Sequence, residues 1–157
     1  MTEPDVRPVL VIGLGNELRG DDGAGVEVAR RLRGVAAEAG IDVRVQQSEP
    51  AGLIDAWSGR KVVLVVDTMR SGAASGTVCR FDVSREPLPA QLRGFPSTHA
   101  LSLAEVFELA RAMGQLPPRV VVFAIEGQRF QTGAALSDEV QAVIPKVAGM
   151  VLEAARR

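Results

Sequence analysis

The chain has 157 residues, enough for one hydrophobic core, and we expect a single domain over residues 1–157. Hydrophobic residues make up 46% and charged residues 24%, and the net charge of −1 gives no reason to expect a nucleic-acid or membrane partner. The polar N-terminus lacks a secretory signal and no apolar run could cross a bilayer. We therefore expect a cytoplasmic protein.

The residue counts also limit the chemistry. A single cysteine, Cys79, excludes an internal disulfide and a zinc site made of several thiolates. Cys79 shares a predicted strand face with Phe81 and Val83, which favours a packing role over a Cys–His pair. With one histidine and no tyrosine in the chain, any mechanism that needs an imidazole must use His99.

The first predicted strand, residues 8–12, is a short apolar run that ends in the turn-forming sequence of residues 13–16. Asp21 and Asp22 then open a helix. Its predicted buried stripe consists of apolar residues at helical spacing, namely Val28, Leu32 and Val35.

Two strands and a short helix are predicted in the middle of the chain. Residues 41–47 alternate as in an edge strand, and residues 50–57 indicate a short helix. Residues 61–66 are almost wholly apolar, as in a central parallel strand, and they place Asp67 at the carboxyl end of that strand. Residues 77–83 alternate again and predict a second, hairpin-like strand.

The last third begins with a long proline-containing loop, residues 84–98. Ser102 then caps a helix, and residues 119–125 predict another central strand. The last helix covers about residues 137–153, where Pro145 should kink or split it. Alternating strands and helices predict an α/β three-layer sandwich, with a mostly parallel, twisted sheet of about five strands flanked by about four helices.

A nucleotide-binding loop is the first function that the glycines suggest, but it fits poorly. A dinucleotide fingerprint needs a third Gly or Ala three residues after Gly15, where this chain has Leu18. Asp21 and Asp22 would also repel a pyrophosphate at the helix N-terminus. The chain has no P-loop and no G-x-S-x-G elbow.

Asp22, Asp67 and His99 are the polar residues that the predicted fold places just beyond strands or loops, where α/β proteins carry their chemistry. Each also has a structural interpretation: Asp22 could cap a helix, Asp67 could brace a turn, and His99 could be structural. If the three side chains converge, they form an open site for a borderline divalent metal such as zinc or nickel. Such a metal could polarise a carbonyl and acidify a water molecule for hydrolysis.

Several segments, in order along nearly the whole chain, resemble the hydrogenase maturation protease family. They are Gly13-Leu14-Gly15-Asn16-x-Leu18-x-x-Asp21-Asp22-Gly23-x-Gly25, then Asp67 with Ser71-Gly72 and Ser75-Gly76-Thr77, then Ser97-Thr98-His99-Ala100-Leu101-Ser102-Leu103, and finally residues 118–125 with Leu136-Ser137. The first segment is long and fairly specific. The other segments are weaker singly, but their order along the chain strengthens the resemblance.

The resemblance implies an endopeptidase that removes the C-terminal peptide from the large-subunit precursor of a nickel–iron hydrogenase after nickel insertion. It implies that Asp22, Asp67 and His99 are the metal-binding and catalytic residues. Many relatives have Glu at the position of Asp22, whose shorter side chain could alter the metal distance. The implied metal is nickel carried by the substrate, although zinc or cadmium could occupy the site. Two roles are open for it: activating water, or marking the precursor as ready.

The resemblance also suggests roles for neighbouring residues. Asn16 would order the loop beside Asp22, and Asp21 would be a helix cap or a supporting carboxylate. Gly23 and Gly25 would let the substrate chain approach the backbone closely. Residues 84–98 would form a lid or a precursor-docking segment. A monomer would suffice for such an enzyme.

Two other functions compete with the protease. Residues 13–16 also resemble the start of peptidyl-tRNA hydrolase, but that family needs a Pro-Gly after Asn16 and a tyrosine, which this chain lacks. A chaperone that binds the nickel-loaded precursor without cutting it would use the same site residues, so the sequence leaves that alternative open.

Overall fold

The computed structural model describes residues 6–46, 52–89 and 102–157. The strands are β1 (Val9–Leu14), β2 (Asp42–Gln46), β3 (Val62–Met69), β4 (Val78–Asp82) and β5 (Arg119–Glu126). The helices are α1 (Ala24–Glu38), α2 (Leu53–Trp57), α3 (Leu103–Ala112) and α4 (Asp138–Ala155), and a 3-10 turn covers Gly20–Gly23. Of the short helix predicted over residues 50–57, residues 50 and 51 lie outside the described part of the chain.

The strands form one sheet in the order β2-β1-β3-β5-β4. Neighbouring strands are parallel except that β4 runs antiparallel to β5. The prediction of a mostly parallel, five-stranded sheet is confirmed. The hairpin-like placement of the fourth strand is wrong, because β4 lies at the sheet edge beside β5 rather than beside β3, the strand that precedes it in sequence.

Two apolar layers cover the sheet, which confirms the three-layer prediction. On one face, α1 and α4 pack against inward side chains such as Val11 and Leu64. On the other face, α2 and α3 pack against Ile12 and Val65. Residues 64 and 65 thus point to opposite faces, as successive side chains of a strand do, and the same alternation positions the candidate site residue of β3, Asp67.

Two helices differ in detail from the sequence prediction. Val35 does not belong to the buried stripe of α1, because its side chain is 46% exposed; the inner face uses Ala36 instead. Pro145 lies inside α4 without splitting it, since the helix is continuous from Asp138 to Ala155. Among the described residues, no helix combines the length and the apolar character required to span a membrane.

The strand order creates a topological switch point between β1 and β3. From β1 the chain passes through α1 on one face to reach β2, and it then crosses through α2 on the other face to reach β3. The two connections diverge from the gap between β1 and β3. In open α/β sheets, ligands bind in the crevice at the carboxyl ends of the strands at such a point.

Candidate functional site

The loop after β1 turns sharply and carries the first acidic residue of the site. Gly15 has φ +135°, and a Cβ at this position would lie only 1.8 Å from the carbonyl oxygen of Asp22, so the close approach requires glycine. The backbone N–H of Asn16 donates to Asp22 Oδ2 at 2.8 Å, and Asn16 Oδ1 accepts from the Leu18 N–H at 2.9 Å. The prediction that Asn16 orders the loop beside Asp22 is therefore confirmed.

Asp22 lies in the 3-10 turn and is 8% exposed. Its carboxylate is turned away from its own helix, towards the β1 loop and β3. The Thr68 hydroxyl donates to Asp22 Oδ1 at 3.4 Å. The N-cap of α1 is Gly23, and no side chain caps that helix. The helix-capping interpretation of Asp22 is thus wrong, and its carboxylate faces the switch point instead.

Asp67 lies within β3, opposite Ala124 of β5. The strand continues two residues further than predicted, because its pairing with β5 extends to Met69 and Glu126. Asp67 Oδ1 accepts from the N–H of Thr68 at 2.8 Å. Desolvation raises the pKa of Asp67 well above its ordinary value, the Thr68 hydrogen bond lowers it in part, and the negative charge of Asp22 raises it further. The structure therefore brings Asp22 and Asp67 together as an interacting carboxylate pair.

The third predicted site residue, His99, lies outside the described residues. Within residues 6–46, 52–89 and 102–157, no group of three His, Cys, Asp or Glu side chains could hold a metal ion. The carboxylate pair therefore needs a further ligand to complete a metal site. The helix that follows His99, α3, packs on the face of the sheet that carries Val65 and Met69, which is the face of Asp67 by strand alternation.

Asp21 precedes Asp22 in the same turn but is engaged elsewhere. Its carboxylate accepts from the N–H groups of Gln128, Arg129 and Ser137 at 2.7–2.9 Å, and from the Ser137 hydroxyl. Desolvation raises the pKa of Asp21, but these hydrogen bonds outweigh it and the net shift is downward. Of the two predicted roles, the helix cap is wrong, because Asp21 ties the 3-10 turn to the segment between β5 and α4.

Solved structures of similar fold include hydrogenase maturation enzymes. The hydrogenase maturating endopeptidase HybD from E. coli superposes with a TM-score of 0.79 at 24% identity, covering 94% of this chain and 91% of that one. The [NiFe] hydrogenase maturation protease HycI from Thermococcus kodakarensis gives a TM-score of 0.71 at 22% identity, covering 96% and 94%. No protein with a curated description matches the chain.

The sequence profile of the hydrogenase maturation proteases matches residues 29–154, well over half of the chain. The chain belongs to this family. The resemblance seen in the sequence is thereby confirmed, and so is the assignment to a family of peptidases.

One buried acidic residue at the carboxyl edge of the sheet was not predicted from the sequence. Glu126 ends β5 and is 2% exposed. Its carboxylate accepts from the N–H groups of Ser71 and Gly72 and from the Ser71 hydroxyl, and so fixes the loop that follows β3. The sequence pattern could have predicted this residue, because Glu126 directly follows an apolar strand run, just as Asp67 does.

The glycines of the first segment serve packing within the maturation protease itself. A Cβ on Gly25 would lie 2.3 Å from the Val66 carbonyl oxygen, and a Cβ on Gly23 would lie 2.9 Å from Glu17 Cα. The spaces beside both glycines are therefore filled by the protein's own backbone. The predicted role of Gly23 and Gly25 in admitting a substrate chain is wrong; Gly25 lets α1 approach β1 and β3 closely. Of the predicted lid, residues 90–98 lie outside the described residues.

Proposed function

We propose that this chain is a cytoplasmic, monomeric endopeptidase that removes the C-terminal peptide from a nickel–iron hydrogenase large-subunit precursor after nickel insertion. The observation that carries the proposal is the carboxylate pair, Asp22 and Asp67, at the β1–β3 switch point of a chain that belongs to the maturation protease family. The pair lies where this class of sheet binds its ligands.

The donor set of the proposed site suits a divalent metal. Asp22 and Asp67 contribute carboxylate oxygens and His99 an imidazole, a combination typical of zinc and of similar borderline ions. In the part of the chain that the structure describes, the hydrogen bond to Asp67 uses Oδ1, so no described residue competes for Oδ2. Two adjacent negative charges also favour a cation over an anion. Nickel carried by the precursor would thus be bound as part of the substrate, and zinc or cadmium could take its place in the isolated protein.

The chain direction supports His99 as the third member of the site. Arg111, near the end of α3, donates to the carbonyl oxygen of Val83, whose N–H bonds to Val120 at the start of β5. The end of α3 therefore lies towards the amino edge of the sheet, and its start towards the carboxyl edge. His99 precedes the N-cap of α3, Ser102, by three residues. The described start of α3 therefore lies towards the edge that carries the carboxylate pair, with its N-cap three residues after His99 in sequence.

The proposed mechanism assigns positions to the chain's own groups. Asp22 is held by the N–H of Asn16 and the hydroxyl of Thr68, and Asp67 by the N–H of Thr68, so both carboxylates are oriented before the precursor arrives. A divalent ion bound there would supply Lewis acidity to a peptide carbonyl or a water molecule. Fixed ligands reduce the reorganisation needed when the precursor binds.

The test compares nickel-loaded with nickel-free large-subunit precursor, each incubated with the protein and then weighed by mass spectrometry. Loss of a short C-terminal peptide from the nickel-loaded form alone supports the protease. An unchanged mass with a stable complex would instead identify a chaperone that binds without cutting. Cleavage of both forms at equal rates would contradict the proposed dependence on nickel.

His99→Ala tests the third site residue in the same assay. We expect cleavage to be lost while the thermal unfolding midpoint stays near that of the wild type, because His99 precedes α3 in sequence and is not part of that helix. The matched control is Ser102→Ala, which removes the hydroxyl that accepts from the Glu105 N–H. It should weaken the start of α3 by about 1 kcal/mol yet leave cleavage intact. Wild-type cleavage by His99→Ala would refute the site assignment.

A further inference from the structure

Thr68 contacts both members of the carboxylate pair. Its side chain is completely buried, at 0% exposure. Its backbone N–H donates to Asp67 Oδ1 at 2.8 Å, and its hydroxyl donates to Asp22 Oδ1 at 3.4 Å. A buried hydroxyl in an otherwise apolar strand requires a hydrogen-bond partner, and here that partner is a residue of the candidate site.

The strand geometry explains why one residue can reach both carboxylates. Side chains alternate along β3, so Asp67 points to the face of α2 and α3, whereas Thr68 points with Val66 to the face of α1. Asp22, at the start of α1, approaches β3 from that second face. The two carboxylates thus reach the switch point from opposite sides of the sheet, and Thr68 lies between them.

We propose that Thr68 is a positioning residue, whose hydroxyl sets the orientation of the Asp22 carboxylate relative to Asp67. This inference rests on the proposed function. Asn16 fixes Oδ2 of Asp22 and Thr68 fixes Oδ1, so the plane of the carboxylate is defined at two points. Loss of the Thr68 hydroxyl removes the contact at Oδ1, and repulsion from Asp67 then favours a rotated, more distant position of that oxygen.

Two variants separate the hydroxyl from the methyl group of Thr68. Thr68→Val keeps the shape of the buried side chain but removes the hydroxyl, whereas Thr68→Ser keeps the hydroxyl and removes the methyl group. Crystal structures of both variants report the conformation of Asp22. Titration calorimetry with Ni²⁺ alone reports metal affinity, and Asp67→Asn is the control for binding at this site.

The expected result is a rotated Asp22 carboxylate in Thr68→Val but not in Thr68→Ser. Ni²⁺ affinity should fall about tenfold in Thr68→Val only, the lower end of the range seen when groups that orient metal ligands are removed. Thr68→Ser should unfold at a lower temperature because it leaves a cavity, and it should nevertheless retain most of the affinity.

An unmoved Asp22 in Thr68→Val, or an equal loss of affinity in both variants, would overturn the proposal and leave Thr68 a packing residue. If the wild-type protein bound no Ni²⁺, that would count against the metal site of the proposed function. The conformation of Asp22 in the two crystal structures would then decide the role of Thr68 by itself.

Discussion

Asp21 and Asp22 are adjacent, identical and both buried, yet the structure uses them in opposite ways. Among the described residues, every hydrogen bond to the Asp21 carboxylate comes from the segment between β5 and α4. The Asp22 carboxylate faces the switch point, where it meets Thr68 and interacts with Asp67. One carboxylate joins two parts of the scaffold, and its neighbour belongs to the candidate site.

The number of hydrogen-bond donors around each carboxylate distinguishes one that stabilises the fold from one that is a candidate for function. Donors surround Asp21 and lower its pKa despite burial, so its charge is stabilised within the fold. Asp67 receives one N–H from the described residues and lies beside the negative charge of Asp22, and its pKa is raised. A charged group with few donors and a like-charged neighbour is a candidate for binding a cation.

The largest effect should come from neutralising the carboxylate pair. Asp67→Asn and Asp22→Asn should each reduce precursor cleavage about 1000-fold, equivalent to about 4 kcal/mol, because each removes a charged ligand. The free energy of unfolding should stay unchanged or rise slightly, since each change also removes repulsion between like charges. Cleavage rates and urea unfolding measured on the same preparations check both expectations. Wild-type cleavage by either variant would exclude that residue from the site.

The second prediction concerns the contact that brings Asp22 against β3. Gly25→Ala would place a Cβ 2.3 Å from the Val66 carbonyl oxygen and 2.6 Å from that of Leu14, so α1 must move away from the sheet. We expect a loss of about 3 kcal/mol or more in the free energy of unfolding. Gly34→Ala in the same helix is the matched control. Its Cβ would meet nothing within 4 Å, and it should stabilise the protein by about 0.5–1 kcal/mol. Equal effects of the two changes would contradict the close packing of Gly25.

For Asp21→Asn we expect lower stability with nearly normal cleavage, the reverse of what we expect for Asp22→Asn and Asp67→Asn. Both carboxylate oxygens of Asp21 accept backbone N–H groups: Oδ1 from Ser137, and Oδ2 from Gln128 and Arg129. An amide must turn its NH₂ group towards one of these donors, which leaves a buried clash. The expected loss is about 2–3 kcal/mol of unfolding free energy, with cleavage by the folded fraction within about threefold of wild type. Lost cleavage without lost stability would mean that Asp21, too, belongs to the site.

The sequence was sufficient for the fold class because the central strands are nearly pure apolar runs. Residues 61–66 and 119–125 show burial on both faces directly, and buried parallel strands require helices on both sides. The hydrophobic pattern could not predict which strand pairs with β4. Alternation reports which faces of a strand are buried, but not which strand lies beside it.

For the candidate site, the sequence predicted Asp22 and Asp67 but not how their carboxylates are held. Position relative to predicted strands indicated that both lie near the carboxyl edge. The hydroxyl of Thr68 and the carboxylate of Glu126 contact segments that are distant in sequence, so spacing along the chain could not reveal these contacts. The roles of Gly23 and Gly25 were misassigned for the same reason, because their neighbours come from other segments.

We expect the smallest effect on stability from Glu126→Gln, because its carboxylate is hydrogen-bonded differently from that of Asp21. The N–H groups of Ser71 and Gly72 both approach Glu126 Oε1, at 2.9 and 3.0 Å, whereas Oε2 is nearest to the Ser71 hydroxyl. A glutamine can keep its oxygen towards the two N–H groups and donate its NH₂ to that hydroxyl, which can also accept. The cost is then the loss of charge assistance, about 1 kcal/mol in urea unfolding. A loss as large as that of Asp21→Asn would show that the charge of Glu126, and not its hydrogen-bond geometry, holds the loop after β3.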